Sequence, residues 1–366
     1  MYRLLAFFLV AGGVLAQCRL PDPAPDSLSR LSAEELVDSG HYLRAAKILE
    51  PVVATQPDNA RAEWLLSRSL AATGDLERAL KLADAALASD ASNAAYHVQV
   101  AAVAGRLAEK SSLLKQLTLA RRARQELDAA TALDASNIDA QWGLMIYYYA
   151  APALIGGDKA KAVQIGEQMA ALAPAMGRYY QGRLALQMKE ADKAEAFFRQ
   201  SVIDDPVSFE TAAALAGLYI DQKPDQARAE KWACQAVHAD PTRGDGWALL
   251  AKVYTMCGCW TEALDIADRA VALVPENLDP KYEIAAVAVS RGEQLDLAVR
   301  LLREYLASPI EGGAPAEALA HMQLGFALAK QGANAEAIAE LKTALEQDSS
   351  LDAAKAEIKR VNALRR

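Results

Sequence analysis

Three groups of residues in this 366-residue chain have types and spacings that chemistry can use. Ser112-Leu113-Leu114-Lys115 matches Ser-x-x-Lys, in which the lysine would activate the serine for acyl transfer. The histidines His41, His97, His238 and His321 are each a candidate base or ligand. Cys257-Gly258-Cys259, with Cys18 and Cys234, completes the set of four cysteines. None of the three develops into a site. The partner motifs of Ser-x-x-Lys acyl enzymes are missing, and the histidines fall in four separate segments. Four widely spaced cysteines lack the Cys-x-x-Cys pairing of zinc sites. A Gly-x-Ser-x-Gly elbow, a Gly-rich phosphate loop and a His-Glu-x-x-His are also absent from the sequence. The expectation is a non-enzyme with no catalytic residue, cofactor or metal.

What positions side chains here is a period. Turn signals at Pro57, Ala91, Ala135, Pro174, Pro206, Pro241, Pro275, Pro309 and Ser349 lie 34, 44, 39, 32, 35, 34, 34 and 40 residues apart. Repeats of this length are stacked supersecondary units, none of which buries its apolar face alone. Hydrophobic residues make up 52 % and aromatics only 6 %, so alanine carries much of the apolar share. Alanine favours helix, and period-two β-branched runs are missing. The class is all-α.

The clearest unit runs from Gly244 to Pro275. Trp247, Leu250, Ala251 and Tyr254 form one helical stripe, Gly258 breaks the helix, and Trp260, Ala263, Ala267 and Ala270 form the next. This grammar resembles the tetratricopeptide repeat, a 34-residue helix–turn–helix. The same grammar is traced nine times over about 26–350. The third copy carries an insertion near 106–120, the fourth one at 151–157, and a linker spans 309–317. Leu351, Ala354, Ile358, Val361 and Leu364 then form the stripe of a capping helix over 351–366. The resemblance implies a right-handed α-solenoid of about nine repeats.

Net charge is −8, which argues against a general nucleic-acid binder. Six basic residues between Arg106 and Glu126 face only two acidic ones, a solvated face or a local dock for an acidic partner. Met1-Tyr2-Arg3 followed by an apolar stretch from Leu4 to Ala16 reads as a signal peptide over 1–16, with a linker at 17–25. The chain is therefore expected to be exported, periplasmic or secreted. Leu15-Ala16-Gln17-Cys18 nearly fits a lipobox, so a lipoprotein anchored through Cys18 is the alternative. No later segment is long and apolar enough to span a membrane. In an oxidising compartment, Cys234 on one predicted helix and Cys257 or Cys259 in the next turn are candidates for a disulfide.

In the family that the chain resembles, the first helix of each pair lines a concave groove. That register places Arg61, Trp64, Arg68, Trp142, Ile146, Tyr149, Tyr179, Arg183, Tyr282, Met322 and Phe326 in the groove. Such aromatic and Arg side chains suit an extended peptide or a partner helix, each anchor worth ~1–3 kcal/mol. The family's clamp for a terminal carboxylate is not inferred, since Trp64 and Arg68 stand in comparable positions. The functional expectation is a protein-interaction scaffold of the cell envelope. The alternatives are a lipid-anchored accessory of a transport or outer-membrane assembly, and a protein enclosing a small apolar ligand beside Tyr147, Tyr149 and the loop from Pro152 to Gly157.

Overall fold

The computed structural model of the chain describes residues 18–21, 27–109, 111–311 and 317–363. The signal peptide, most of the 17–25 linker, Lys110, residues 312–316 and Leu364 lie outside the described residues. Among the described residues there are nineteen α-helices and no strand.

The first hairpin is α1 (Ala33–Asp38) with α2 (Tyr42–Thr55), the second α3 (Ala60–Thr73) with α4 (Leu76–Ser89), the third α5 (Ala94–Glu109) with α6 (Leu113–Leu133). Next come α7 (Ile138–Ala150) with α8 (Lys159–Leu172), then α9 (Pro174–Gln187) with α10 (Ala191–Asp204). The sixth hairpin is α11 (Phe209–Gly217), prolonged by a π-helical turn (Leu218–Gln222), with α12 (Gln226–Ala239). The last three pairs are α13 (Gly244–Met256) and α14 (Trp260–Leu273), α15 (Asp279–Arg291) and α16 (Leu295–Leu306), α17 (Glu317–Lys330) and α18 (Asn334–Gln347). A single helix, α19 (Asp352–Ala363), ends the stack.

Small residues let each pair cross closely. Ala251, Ala263 and Ala270 are fully buried, while Trp247 fills the space between pairs. Asp and Asn caps close many of the helix starts: Asn59, Asp75, Asn137, Asp158 and Asp225 each accept a backbone N–H from the first turn. A second device ties the first helices to the turn signals. His97, Gln141 and Trp247 each direct a ring or amide nitrogen at the carbonyl six residues earlier, on Ala91, Ala135 and Pro241, at 3.0, 2.5 and 2.8 Å. The turn residues thus hold the helix that follows as well as ending the one before.

The insertion near 106–120 mostly lengthens α6 to 21 residues. The 151–157 insertion is a short turn pinned by Tyr147, whose hydroxyl donates to the Ile155 carbonyl at 2.6 Å. Gly157 is obligatory there, because a Cβ would fall 1.7 Å from the Ala151 oxygen.

The stack curls until its beginning meets its later turns. His41 Nε2 lies 3.1 Å from Thr242 Oγ1, the Leu43 N–H donates to Glu311 at 2.8 Å, and Arg44 grips Glu276 with two hydrogen bonds of 2.9 and 3.1 Å. These acceptors lie in three successive inter-repeat segments. Val274 and Leu273 join the apolar cluster of Leu36, Leu49 and Leu66, so the first repeat is covered by the seventh. His41 is accordingly buried, and burial lowers its pKa.

A disulfide closes the same end. Cys18 is bonded to Cys234, 216 residues along the chain, and Cys257 to Cys259. This corrects the expected Cys234–Cys257 or Cys234–Cys259 pairing. Cys234 sits eight residues into α12, about 12 Å along the axis from the end that faces the α13–α14 turn. That is beyond the Cα separation a disulfide tolerates. The N-terminal segment crosses the sixth and seventh repeats instead, with Leu20 beside Leu250, Tyr254 and Ile266.

Candidate functional site

The concave face carries a pocket of about 440 Å³ between the fifth and seventh repeats. Tyr179, Arg183 and Leu186 come from α9, Phe209 and Glu210 from α11, Leu218 and Asp221 from the π-helical turn, and Arg243 and Asp245 from the start of the seventh repeat. All the contributing helices are first helices of their pairs. The π-helical turn widens the backbone where α11 would otherwise run straight, a deviation that recurs at functional sites.

Arg243 organises the far wall. Its guanidinium lies 3.6 Å over the Phe209 ring and pairs with Glu210 at 2.8 Å and Asp245 at 3.1 Å. Burial works against its charge, but the two carboxylates outweigh that and raise its pKa. Behind it the groove continues into a second, more polar pocket of about 360 Å³ where the first repeat docks. There burial, then Asp245, Glu311 and Glu283, push the Asp279 carboxyl up to about 7. Burial also raises Glu283, against the opposing charge of Lys252.

Of the groove residues expected from the sequence, Tyr179 and Arg183 line the first pocket. Trp142 stacks on Tyr180 with ring centroids 4.4 Å apart, and Arg183 lies 5.7 Å from its ring. Ile146 is half-buried on the same helix. Tyr149 donates to the Gln187 carbonyl at 2.6 Å. Arg61, Trp64 and Arg68 face neighbouring first helices. Arg61 pairs with Glu34, and Arg68 pairs with Asp38 at 2.8 Å and covers Trp64 at 5.0 Å.

Two expected groove residues point elsewhere. Tyr282 is buried against Tyr305 of its own second helix, and Met322 is buried with Leu341 and Ala354 beneath the last helix. Phe326 packs on that same core. The register alone does not separate a concave side chain from one that leans between the helices of its pair. Phe209 and Arg243 went unnoticed for a related reason: they start helices next to turn residues, outside the apolar stripes. The Arg243-Gly244-Asp245-Gly246 run was the available signal, because a Cβ on Gly244 would meet Asn277 and Asp279 at 3.1 Å.

Cys18, Cys234 and His238 place two sulfurs and an imidazole nitrogen within 4.8 Å of one another, but the sulfurs are bonded to each other. Ser112 caps α6 without a side-chain hydrogen bond to it, and Lys115 pairs with Glu77 at 3.2 Å rather than with Ser112.

Paired helices crossing on alanines and stacked into a curling array agree with the family model for the tetratricopeptide repeat, which matches residues 31–94 and 282–352. The chain carries tetratricopeptide repeats over those two stretches. Among solved structures, a monomeric mutant of IFIT1 with Gppp-AAAA is similar over 91 % of this chain and 79 % of its own, at 15 % identity and a TM-score of 0.50. That likeness shows the α-solenoid fold. The tetratricopeptide protein TTC0263 of Thermus thermophilus matches 51 % of this chain and 95 % of its own, at 18 % identity and a TM-score of 0.46. The APC/C hetero-tetramer Cut9–Hcn1 matches 81 % of this chain at 18 % identity and a TM-score of 0.46, and the chain spans about half, 54 %, of that protein's length. No curated protein matches the sequence.

Proposed function

We propose that this protein is a non-catalytic scaffold of the cell envelope that holds a peptide segment of a partner protein in its concave groove. The tetratricopeptide fold is in general a scaffold for protein–protein interaction. The observation that carries the reading is the 440 Å³ pocket built by three consecutive first helices, with a Phe and Leu floor and guanidinium groups on its walls. Aromatic and Arg side chains grouped in this way are the residue types that dominate interface energetics.

Export is supported by the cysteines. All four are paired, and disulfides persist in oxidising compartments. The bond to Cys234 also favours plain export over a lipid anchor, since a sulfur joined to Cys234 is not free to carry a thioether.

The test fills the pocket from its own lining. Ala214→Trp replaces a half-exposed lining residue on α11. Capture of partners from envelope extract is expected to disappear while the helical circular dichroism and Tm stay at their original values. Undiminished capture by the folded variant would remove the groove from the account.

A further inference from the structure

The groove reading leaves the chemistry of the partner open, and one side chain narrows it. Arg183 is exposed on α9 at the rim of the 440 Å³ pocket. Its guanidinium carbon lies 5.7 Å from the ring centroids of both Trp142 and Tyr179, and Nη1 donates to the Tyr179 hydroxyl at 2.8 Å. Trp142 is itself stacked on Tyr180, so a wall of three rings holds the guanidinium in place. A group fixed in this way loses little freedom when it binds.

Among the described residues, no carboxylate lies within ion-pairing distance of Arg183. The other charges of the pocket are matched. Glu210 and Asp245 both pair with Arg243, and Asp221 lies 3.5 Å from Lys252. Most of the guanidinium's five donors therefore remain available on the concave side, next to an apolar floor of Leu186, Phe209 and Leu218.

We infer, resting on the groove reading above, that the pocket takes an extended segment whose Asp or Glu side chain pairs with Arg183 while a neighbouring apolar side chain lies on Phe209 and Leu218. In an extended chain, residues two apart point to the same side, which lets one segment supply both groups. A carboxylate fits better than a phosphate. Glu210, Asp221 and Asp245 border the same space and would repel a dianion more strongly than a single charge.

The experiment uses the full chain and fluorescent peptides acetylated at the N-terminus and amidated at the C-terminus, so that no terminal carboxylate contributes. Three pools share apolar positions and differ at one site, carrying Asp/Glu, Asn/Gln or Lys/Arg. The acidic pool is expected to bind at least tenfold more tightly than the amide pool. Arg183→Gln should erase that difference. Equal binding of acidic and amide pools, preference for the basic pool, or an acidic preference that survives in Arg183→Gln would overturn the inference. Binding only after the C-terminal amide is replaced by a free carboxylate would overturn it too. If no pool binds a chain that remains helical, the groove reading fails and takes this inference with it.

Discussion

At the C-terminal end of the array, Leu351 and the α19 residues Ala354, Ile358 and Val361 cover the flank of the ninth repeat. At the N-terminal end the first repeat meets residues 201 to 268 positions further along the chain and shares an apolar cluster with Val274. Both ends face the same problem, because a stacked hairpin leaves one greasy flank without a neighbour. One end solves it with a local helix, the other by curvature. A local cap depends on contacts within one repeat. A closure by curvature depends on every repeat between the two contact points, and on the clasp that holds them.

The comparison can be broken most severely at the clasp. Cys18→Ser removes a bond that closes a loop of 216 residues, for which chain entropy gives about 5 kcal/mol. Thermal unfolding without reductant should show a large drop in Tm for Cys18→Ser. Reductant should bring the original chain down to a similar value.

At the other end, Val361→Asp would bury an unpaired charge in a site with no solvent exposure, at about 2–4 kcal/mol. Hydrogen exchange should then rise in α18 and α19 and stay unchanged in α1 and α2. Equal loosening of both ends would mean that the cap and the closure are one cooperative unit.

A smaller effect sharpens the contrast through pH. The Asp279 carboxyl in the closure pocket is raised to about 7 from an ordinary 3.8, chiefly by burial. Below about pH 4 it is protonated in both folded and unfolded chains. Between pH 4 and 7 the unfolded chain releases the proton first, so this group costs stability progressively, and the full cost stands above pH 7. Asp279→Asn should therefore match the original chain at pH 4 and exceed it at pH 8 by about 1–2 kcal/mol, read as Tm. A constant difference across that range would exclude the carboxyl as the cause.

The repeat boundaries were legible because they rest on local physics: a proline or Asx turn every 34 residues or so, and alanines where helices cross. The cap was legible for the same reason, since its stripe lies within one segment. The closure was not. His41, Leu43 and Arg44 carry no mark of partners more than 200 residues away; those contacts follow from the summed rotation of intervening repeats. The cysteines failed likewise, since proximity in sequence favoured Cys234 with Cys257 or Cys259, and curvature brought Cys18 instead. In the groove, Tyr179 and Arg183 followed from register alone. Tyr282 and Met322 did not, because a first-helix position one step around the axis turns from the groove into the pair.

The closure itself is open to direct measurement. Spin labels at the exposed positions Lys47 on α2 and Ala272 on α14, with the native disulfides intact, report the separation of the first and seventh repeats by pulsed electron resonance. The account predicts one short, narrow distance that broadens and lengthens when Cys18→Ser is combined with Arg44→Ala. A broad, long distribution already present in the otherwise unaltered chain would show an open array and contradict it.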